Sequence, residues 1–172
     1  MRRTIAVVII VVTLSGSVQA SDPPPLPADL MRHTRTICAE YSVPVPLVLA
    51  IMECESGFDP DAVSADGTCF GLMQIHRCNA AWVKSCLGVS IYDPKGGITA
   101  GVYILAEYLS RYDLHRALMA YNSGEGGARR LWEQGVTETA YSRRVAAGME
   151  RWVGYAEVMP RVQRPREGGM TE

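Results

Sequence analysis

The stretch 53–75, ECESGFDPDAVSADGTCFGLMQI, begins inside a helix and leaves it through a run of turn signals. Upstream, VPLVLAIMECES at 45–56 sets Val48, Ile51, Met52 and Glu55 at three-and-four spacing, and Pro46 suits the first turn, where its missing N–H has no helical partner. Gly57, Asp59-Pro60, Asp66-Gly67 and Gly71 then break the period. Asp66-Gly67, between AVSA and TCFGLMQI, is a hairpin signal because both residues tolerate positive φ. A helix running into a small β-hairpin predicts an α+β fold, provided the rest of the chain is helical.

It is. ADLMRHTRTICAEYS (28–42) aligns Leu30, Ile37 and Tyr41, with Asp29 as the expected cap. GITAGVYILAEYLSRY (97–112) carries Ile98, Val102, Leu105 and Leu109 on one stripe and reads as a buried helix. LHRALMAYN, EGGARRLWEQ and TETAYSRRVAAGMERW predict three more helices. The fold class is therefore α+β, mainly α, with one small hairpin.

The flanks set the compartment. Residues 1–20 have Arg2 and Arg3, an apolar run from Ile5 to about Leu14 and a small-x-small site at Val18-Gln19-Ala20, the pattern of a signal peptide cleaved after Ala20. A retained anchor is the weaker reading, since the run falls short of the ~20 apolar residues that span a bilayer. Residues 21–28, SDPPPLPA, form a proline-rich tether. One domain is expected over 29–153, followed by a mobile polar tail over 154–172. Export to the periplasm or the extracellular space follows from the leader.

Five cysteines in an exported chain predict at least one disulfide, drawn from Cys69 and Cys78, which flank FGLMQI. If CNAAWVKSC is helical, Cys78 and Cys86 lie about 12 Å apart along the axis, too far to pair. No Cys-x-x-Cys occurs, and His33, His76 and His115 show no metal-ligand spacing, so no metal is expected. Net charge is −1, with six basic and eleven acidic residues in 21–115 and nine and seven in 116–172. That balance gives no footprint for nucleic acid.

Glu53 and Glu55 project roughly 200° apart on a helix and cannot face one cleft. Glu55 shares its face with Val48, Ile51 and Met52 and sits at the carboxyl end, where the helix dipole disfavours negative charge. Both effects favour the protonated state that a general acid needs. An isolated glutamate near a helix end is nonetheless ordinarily a solvated one.

The surroundings change that reading. ECESGFDPDAVSADGTCFGLMQI, YDPKGGITAGVYILAEYL and ALMAYNSGEGG closely resemble the lytic transglycosylase domain of the soluble murein transglycosylase type, a relative of goose-type lysozyme. The Glu-Ser-Gly-Phe, Ala-Val-Ser, Gly-Leu-Met-Gln-Ile and Ala-Tyr-Asn-x-Gly blocks of that family stand in order across roughly residues 40–145. Gly97 replaces the family's usual Asn before the helix, and ETAY compresses its Glu-Thr-x-x-Tyr. His76 and Cys54, Cys69, Cys78 and Cys86 lie outside the pattern.

The resemblance implies a lysozyme-like fold and a catalytic acid/base at Glu55, with Ser56 as polar support. It implies that Met73, Gln74, Tyr121, Asn122 and Tyr141 bind substrate, Tyr141 together with Val145 matching the last helix. Plainer readings exist: Met73 as core, Gln74 as a turn-satisfying amide, Tyr121 as a packed ring. The implied reaction cleaves the β-1,4 bond between N-acetylmuramic acid and N-acetylglucosamine in peptidoglycan with one carboxylate and no cofactor, leaving a 1,6-anhydro end. Implied partners are glycan strands, with cell-envelope assembly proteins as a further class, and the chain is expected to be a monomer. Two alternatives stay open: a water-using muramidase with Asp59, Asp61 or Asp66 as second carboxylate, and a non-catalytic peptidoglycan-binding module. A cysteine peptidase at Cys54 lacks any local His/Asn setting.

Overall fold

The computed structural model describes residues 24–158. The expected leader, the start of the tether and the far end of the tail lie outside them. Six helices and one two-stranded antiparallel ladder follow in the order α1 (Ala28–Glu40), α2 (Val45–Ser56), β1 (Cys69–Phe70), β2 (Ile75–His76), α3 (Ala80–Leu87), α4 (Pro94–Leu109), α5 (Leu114–Glu133) and α6 (Ala140–Val158). This is the α+β, mainly helical class.

Helix α2 is the centre. Leu47 through Met52 are all buried, a helix apolar on every side rather than along one stripe, so α2 must be surrounded. It packs most extensively on α6, with α1 on another flank, while α4 bridges α1 and α5. Pro46 stands in the first turn as expected, and Gly57 ends the helix at φ +61°, its N–H returning to Glu53 and Met52 carbonyls. Phe58 follows at φ +68°, a conformation unfavourable for a side chain with Cβ. Its burial edge-on against Trp152, with centroids 5.6 Å apart, holds it there.

Several local expectations shift. Asp29 is not the cap of α1: the helix starts at Ala28 behind Pro27, and Asp29 lies in the first turn, paired with Lys95 at 3.2 Å. Leu26 packs against the core, so the fold takes in the end of the expected tether. At the other terminus α6 runs to Val158 with Tyr155 buried, beyond the expected start of the tail at 154. The Asp66-Gly67 turn is present, yet it joins β1 only to an isolated bridge at Val63. The ladder itself, Cys69 to His76 and Phe70 to Ile75, closes around 71–74 instead. There Gly71 (φ +72°) and Gln74 (φ +48°) both take left-handed backbone.

Two close approaches fix α4. A Cβ on Gly96 would stand 2.0 Å from the Ser90 carbonyl oxygen, and one on Gly101 2.6 Å from Met73 Sδ. The Asp93 carboxylate caps α4 by accepting from the Gly96 N–H at 2.8 Å. The two predicted helices after Asp113 are continuous but broken at Gly124 (φ +69°, ψ 156°), directly after Tyr121, Asn122 and Ser123. Thr139 and Ser142 bond reciprocally at the start of α6: Ser142 N–H donates to Thr139 Oγ1 (3.2 Å) and Thr139 N–H to Ser142 Oγ (2.9 Å). That capping-box arrangement sets where Tyr141 points.

All five cysteines are free thiols, so the expected bridge is absent. Cys69 pairs with His76 across the ladder, and Cys78, two residues on, lies in a short 3-10 turn (Arg77–Asn79). Cys38 is buried in the core, which pushes its thiol up to about 12.

Candidate active site

The two glutamates of α2 diverge as the helical spacing predicts. Glu53 Oε2 accepts from Arg151 Nη2 at 3.0 Å and from Trp152 Nε1 at 3.1 Å, tying α2 to α6. Glu55 Oε1 accepts the Tyr141 hydroxyl at 2.6 Å. Burial raises the Glu55 carboxyl above its ordinary value of 4.5, opposed by the Tyr141 bond and the Arg144 charge. The same burial, with the Glu55 charge beside it, drives the Tyr141 hydroxyl far upward, so Tyr141 stays a donor.

Ser56 Oγ donates to the Met52 carbonyl (3.1 Å) and the Leu72 carbonyl (3.0 Å), stitching the end of α2 to the hairpin. Met73 is a core side chain, and its carbonyl accepts the Tyr121 hydroxyl at 2.9 Å. Gln74 Nε2 satisfies the tight turn through the Ala62 (3.2 Å) and Gly71 (2.9 Å) carbonyls. The plainer readings of Met73 and Gln74 thus describe much of what these side chains do.

A cleft of about 680 Å³ runs between the hairpin, α3, α4 and α5. Gln74, Tyr121 and Asn122 contribute to its walls; Glu55, Ser56, Met73 and Tyr141 do not. Tyr121 links the two groups, since it lines the cleft while its hydroxyl lies within the field of the Glu55 carboxylate. Burial and that charge together raise the Tyr121 hydroxyl well above its usual range, which keeps it neutral.

Three neighbours were not anticipated. Arg144 Nε donates to Cys54 Sγ at 2.9 Å and places a positive charge near Glu55. Its position three residues after Tyr141, on the same helical face, was the available signal. Trp82, from a segment outside the stretches that resemble the family, and Tyr103, from within one of them, also line the cleft. The aspartates considered as second carboxylates are otherwise engaged or exposed. Asp59 Oδ1 accepts from the Asp61 N–H (2.9 Å), and Asp66 is held down to about 2 by Ser64 and Thr68. The three histidines serve structure: His33 Nε2 bonds Thr99, His76 Nδ1 accepts from the Cys78 N–H, and His115 Nδ1 bonds Ser142. Among the described residues no cluster suited to a metal ion occurs, and no helix is long and apolar enough to cross a membrane.

Comparison with known proteins places the chain in a family. The chain is similar to the membrane-bound lytic murein transglycosylase C of Serratia proteamaculans, 30% identical over 116 residues, covering 57% of this chain and 32% of that protein. The same-named protein of Glaesserella parasuis is 32% identical over 119 residues, covering 58% and 32%. This chain thus spans about a third of the length of these relatives. Among solved structures, the 70 kDa soluble lytic transglycosylase of Escherichia coli superposes with a TM-score of 0.61, and an inactive variant of the lytic transglycosylase Slt of Pseudomonas aeruginosa with 0.56. Each is 21% identical and matches 73% of this chain and 24% of the other, a likeness of fold. The family model described as the transglycosylase SLT domain matches residues 34–145, and the chain belongs to that family.

Proposed function

We propose that this chain is a peptidoglycan lytic transglycosylase that cleaves the MurNAc-β-1,4-GlcNAc bond with Glu55 as its single acid/base. The observation that carries the reading is the Glu55–Tyr141 pair: a carboxyl raised by burial, with one oxygen occupied by a short bond from a hydroxyl that does not ionise. Because Tyr141 donates to Oε1, the transferable proton belongs on Oε2.

The steps follow from that placement. Glu55 Oε2 gives its proton to the leaving glycosidic oxygen as the bond to the anomeric carbon breaks, through an oxocarbenium-like state. The C6 hydroxyl of the same muramoyl sugar then attacks the anomeric carbon and passes its proton to the Glu55 carboxylate. The acid is regenerated, the product carries a 1,6-anhydro ring, and no water is consumed. An internal nucleophile held near its target removes the need for a second carboxylate. Tyr141 steadies the carboxylate midway, and Arg144 adds a positive charge that keeps the ionised state accessible. Ser56 fixes the end of α2, and Tyr121, Asn122 and Gln74 form the wall against which glycan lies.

Glycan strands are the binding partner in this reading, in the cell envelope reached by export, and the names of the relatives support murein as the target. The aspartates near the hairpin, turn-bound or exposed, give the muramidase alternative little support. The test is incubation of the full chain with purified sacculi. Release of soluble muropeptides is expected; no release under any condition of pH and salt would overturn the enzymatic reading.

A further inference from the structure

Trp82 is exposed to 40%, unlike most large apolar side chains of the fold. Helix α3, which carries it, buries only Val83, so core packing does not explain the indole. Trp82 lines the same cleft as Gln74 and Tyr121. It is also braced: the Tyr103 ring lies 5.6 Å away at 54°, and Tyr103 in turn packs edge-on against Tyr41 at 5.4 Å and 82°. The Tyr103 ring of α4, itself backed by Tyr41 at the end of α1, therefore holds the indole, which loses little freedom when a ligand covers it.

The chemistry around this ring selects its ligand. Asn79 and Asn122 set neutral amides in the cleft wall. Arg111, the one guanidinium there among the described residues, commits its charge to Glu125 at 2.9 Å, and Glu107 adds an acid. A phosphate-bearing strand finds no uncommitted guanidinium, and an acyl chain meets too many polar groups. A neutral pyranose suits both elements: its C–H face lies on an aromatic plane, while its hydroxyl and acetamido edges reach amides.

We propose that Trp82, braced by Tyr103 and Tyr41, is a stacking subsite for an N-acetylated sugar ring of the glycan strand, distinct from the Glu55–Tyr141 pair. The proposal rests on the glycan substrate proposed above but concerns binding, not bond cleavage.

The test uses the full chain in a Glu55→Gln background, titrated calorimetrically with tetra-N-acetylchitotetraose. Trp82→Leu should weaken binding by roughly tenfold, the scale of losing an anchoring aromatic, whereas Trp82→Tyr should stay within about threefold. Thermal melting of each variant checks that the fold persists, and the bulky replacements guard against collapse of the site. Unchanged affinity in Trp82→Leu overturns the subsite, as does the absence of oligosaccharide binding in the parent. Parallel incubation of the chain with intact Glu55 on sacculi separates the two claims. Trp82-dependent binding without released fragments removes the catalytic reading and leaves the subsite; released fragments with Trp82-independent binding does the reverse.

Discussion

Glu53 and Glu55 stand two residues apart on one helix, both half-buried, and the fold puts them to opposite uses. Glu53 is matched by a guanidinium and an indole N–H from the far end of α6. Glu55 is bonded by a hydroxyl from the beginning of the same helix, in a setting that favours its protonated form. One helix pair thus supplies a structural clamp along one face and, in the proposed reaction, the proton-transfer site along another. Burial lifts the Glu55 carboxyl against its hydroxyl and guanidinium neighbours, whereas Glu53 is tied into a direct ion pair with Arg151.

The comparison breaks most visibly in activity. Glu55→Gln should lower sacculus solubilisation by at least about 100-fold, the scale of general acid catalysis, with an unchanged circular dichroism spectrum. Glu53→Gln should keep activity within a few-fold and lose about 1 kcal/mol of stability, since a partly exposed ion pair and one hydrogen bond are weakened. Comparable activity loss in both variants would erase the distinction between the faces.

Next in size is Tyr141→Phe, which removes a hydrogen bond to a charged acceptor. A bond of that kind is worth about 1.5–3 kcal/mol, so turnover should fall roughly ten- to a hundredfold. Because that bond holds the Glu55 carboxyl down against its burial, its loss raises the carboxyl further, and the alkaline limb of the rate profile should move to higher pH. A rate loss with an unmoved limb would mean Tyr141 only packs.

A smaller effect separates the residues in pH-dependent stability. Below the ordinary value of 4.5, Glu55 is protonated in folded and unfolded chains alike and costs nothing. As pH rises past it the unfolded chain ionises first, and stability falls until the raised folded value is passed. Glu55→Gln removes this loss, so its melting temperature relative to the parent should increase from pH 4 to pH 7. Glu125 behaves with the opposite sign. Arg129, Tyr112 and Arg111 hold it to about 2, so its contribution is present above 4.5 and disappears as pH falls toward 2. Glu125→Gln should therefore be destabilising at pH 6 and neutral at pH 2, by a small margin because the group is exposed.

The opposed faces of α2 were legible in the sequence because helical geometry alone sets a 200° separation. The partners were not. Tyr141 is 86 residues from Glu55, and Trp152 is 99 from Glu53, distances that only the motif blocks, for Tyr141, could bridge. The all-round burial of α2 escaped a stripe-based reading, since an apolar run without a polar face has no period to detect. Asp66-Gly67 truthfully marked a turn, while the paired ladder formed one turn later. There Gln74 adopts positive φ, held by bonds from its own amide, a conformation that turn propensities do not assign to glutamine. Cys69 and Cys78 flank the hairpin in sequence, but the ladder pairs Cys69 with His76 and leaves Cys78 in the 3-10 turn beyond it, both as free thiols.

In the proposed reaction a single carboxylate acts on a nucleophile that the substrate carries itself. Digestion of purified sacculi by the full chain in heavy-oxygen water, followed by mass spectrometry of the released muropeptides, tests this most directly. The expected products end in 1,6-anhydro-muramoyl residues without solvent label, because the attacking oxygen is the sugar's own C6 oxygen. Reducing ends carrying heavy oxygen would contradict it, showing that water is the nucleophile and that a second group, unassigned in this site, activates it.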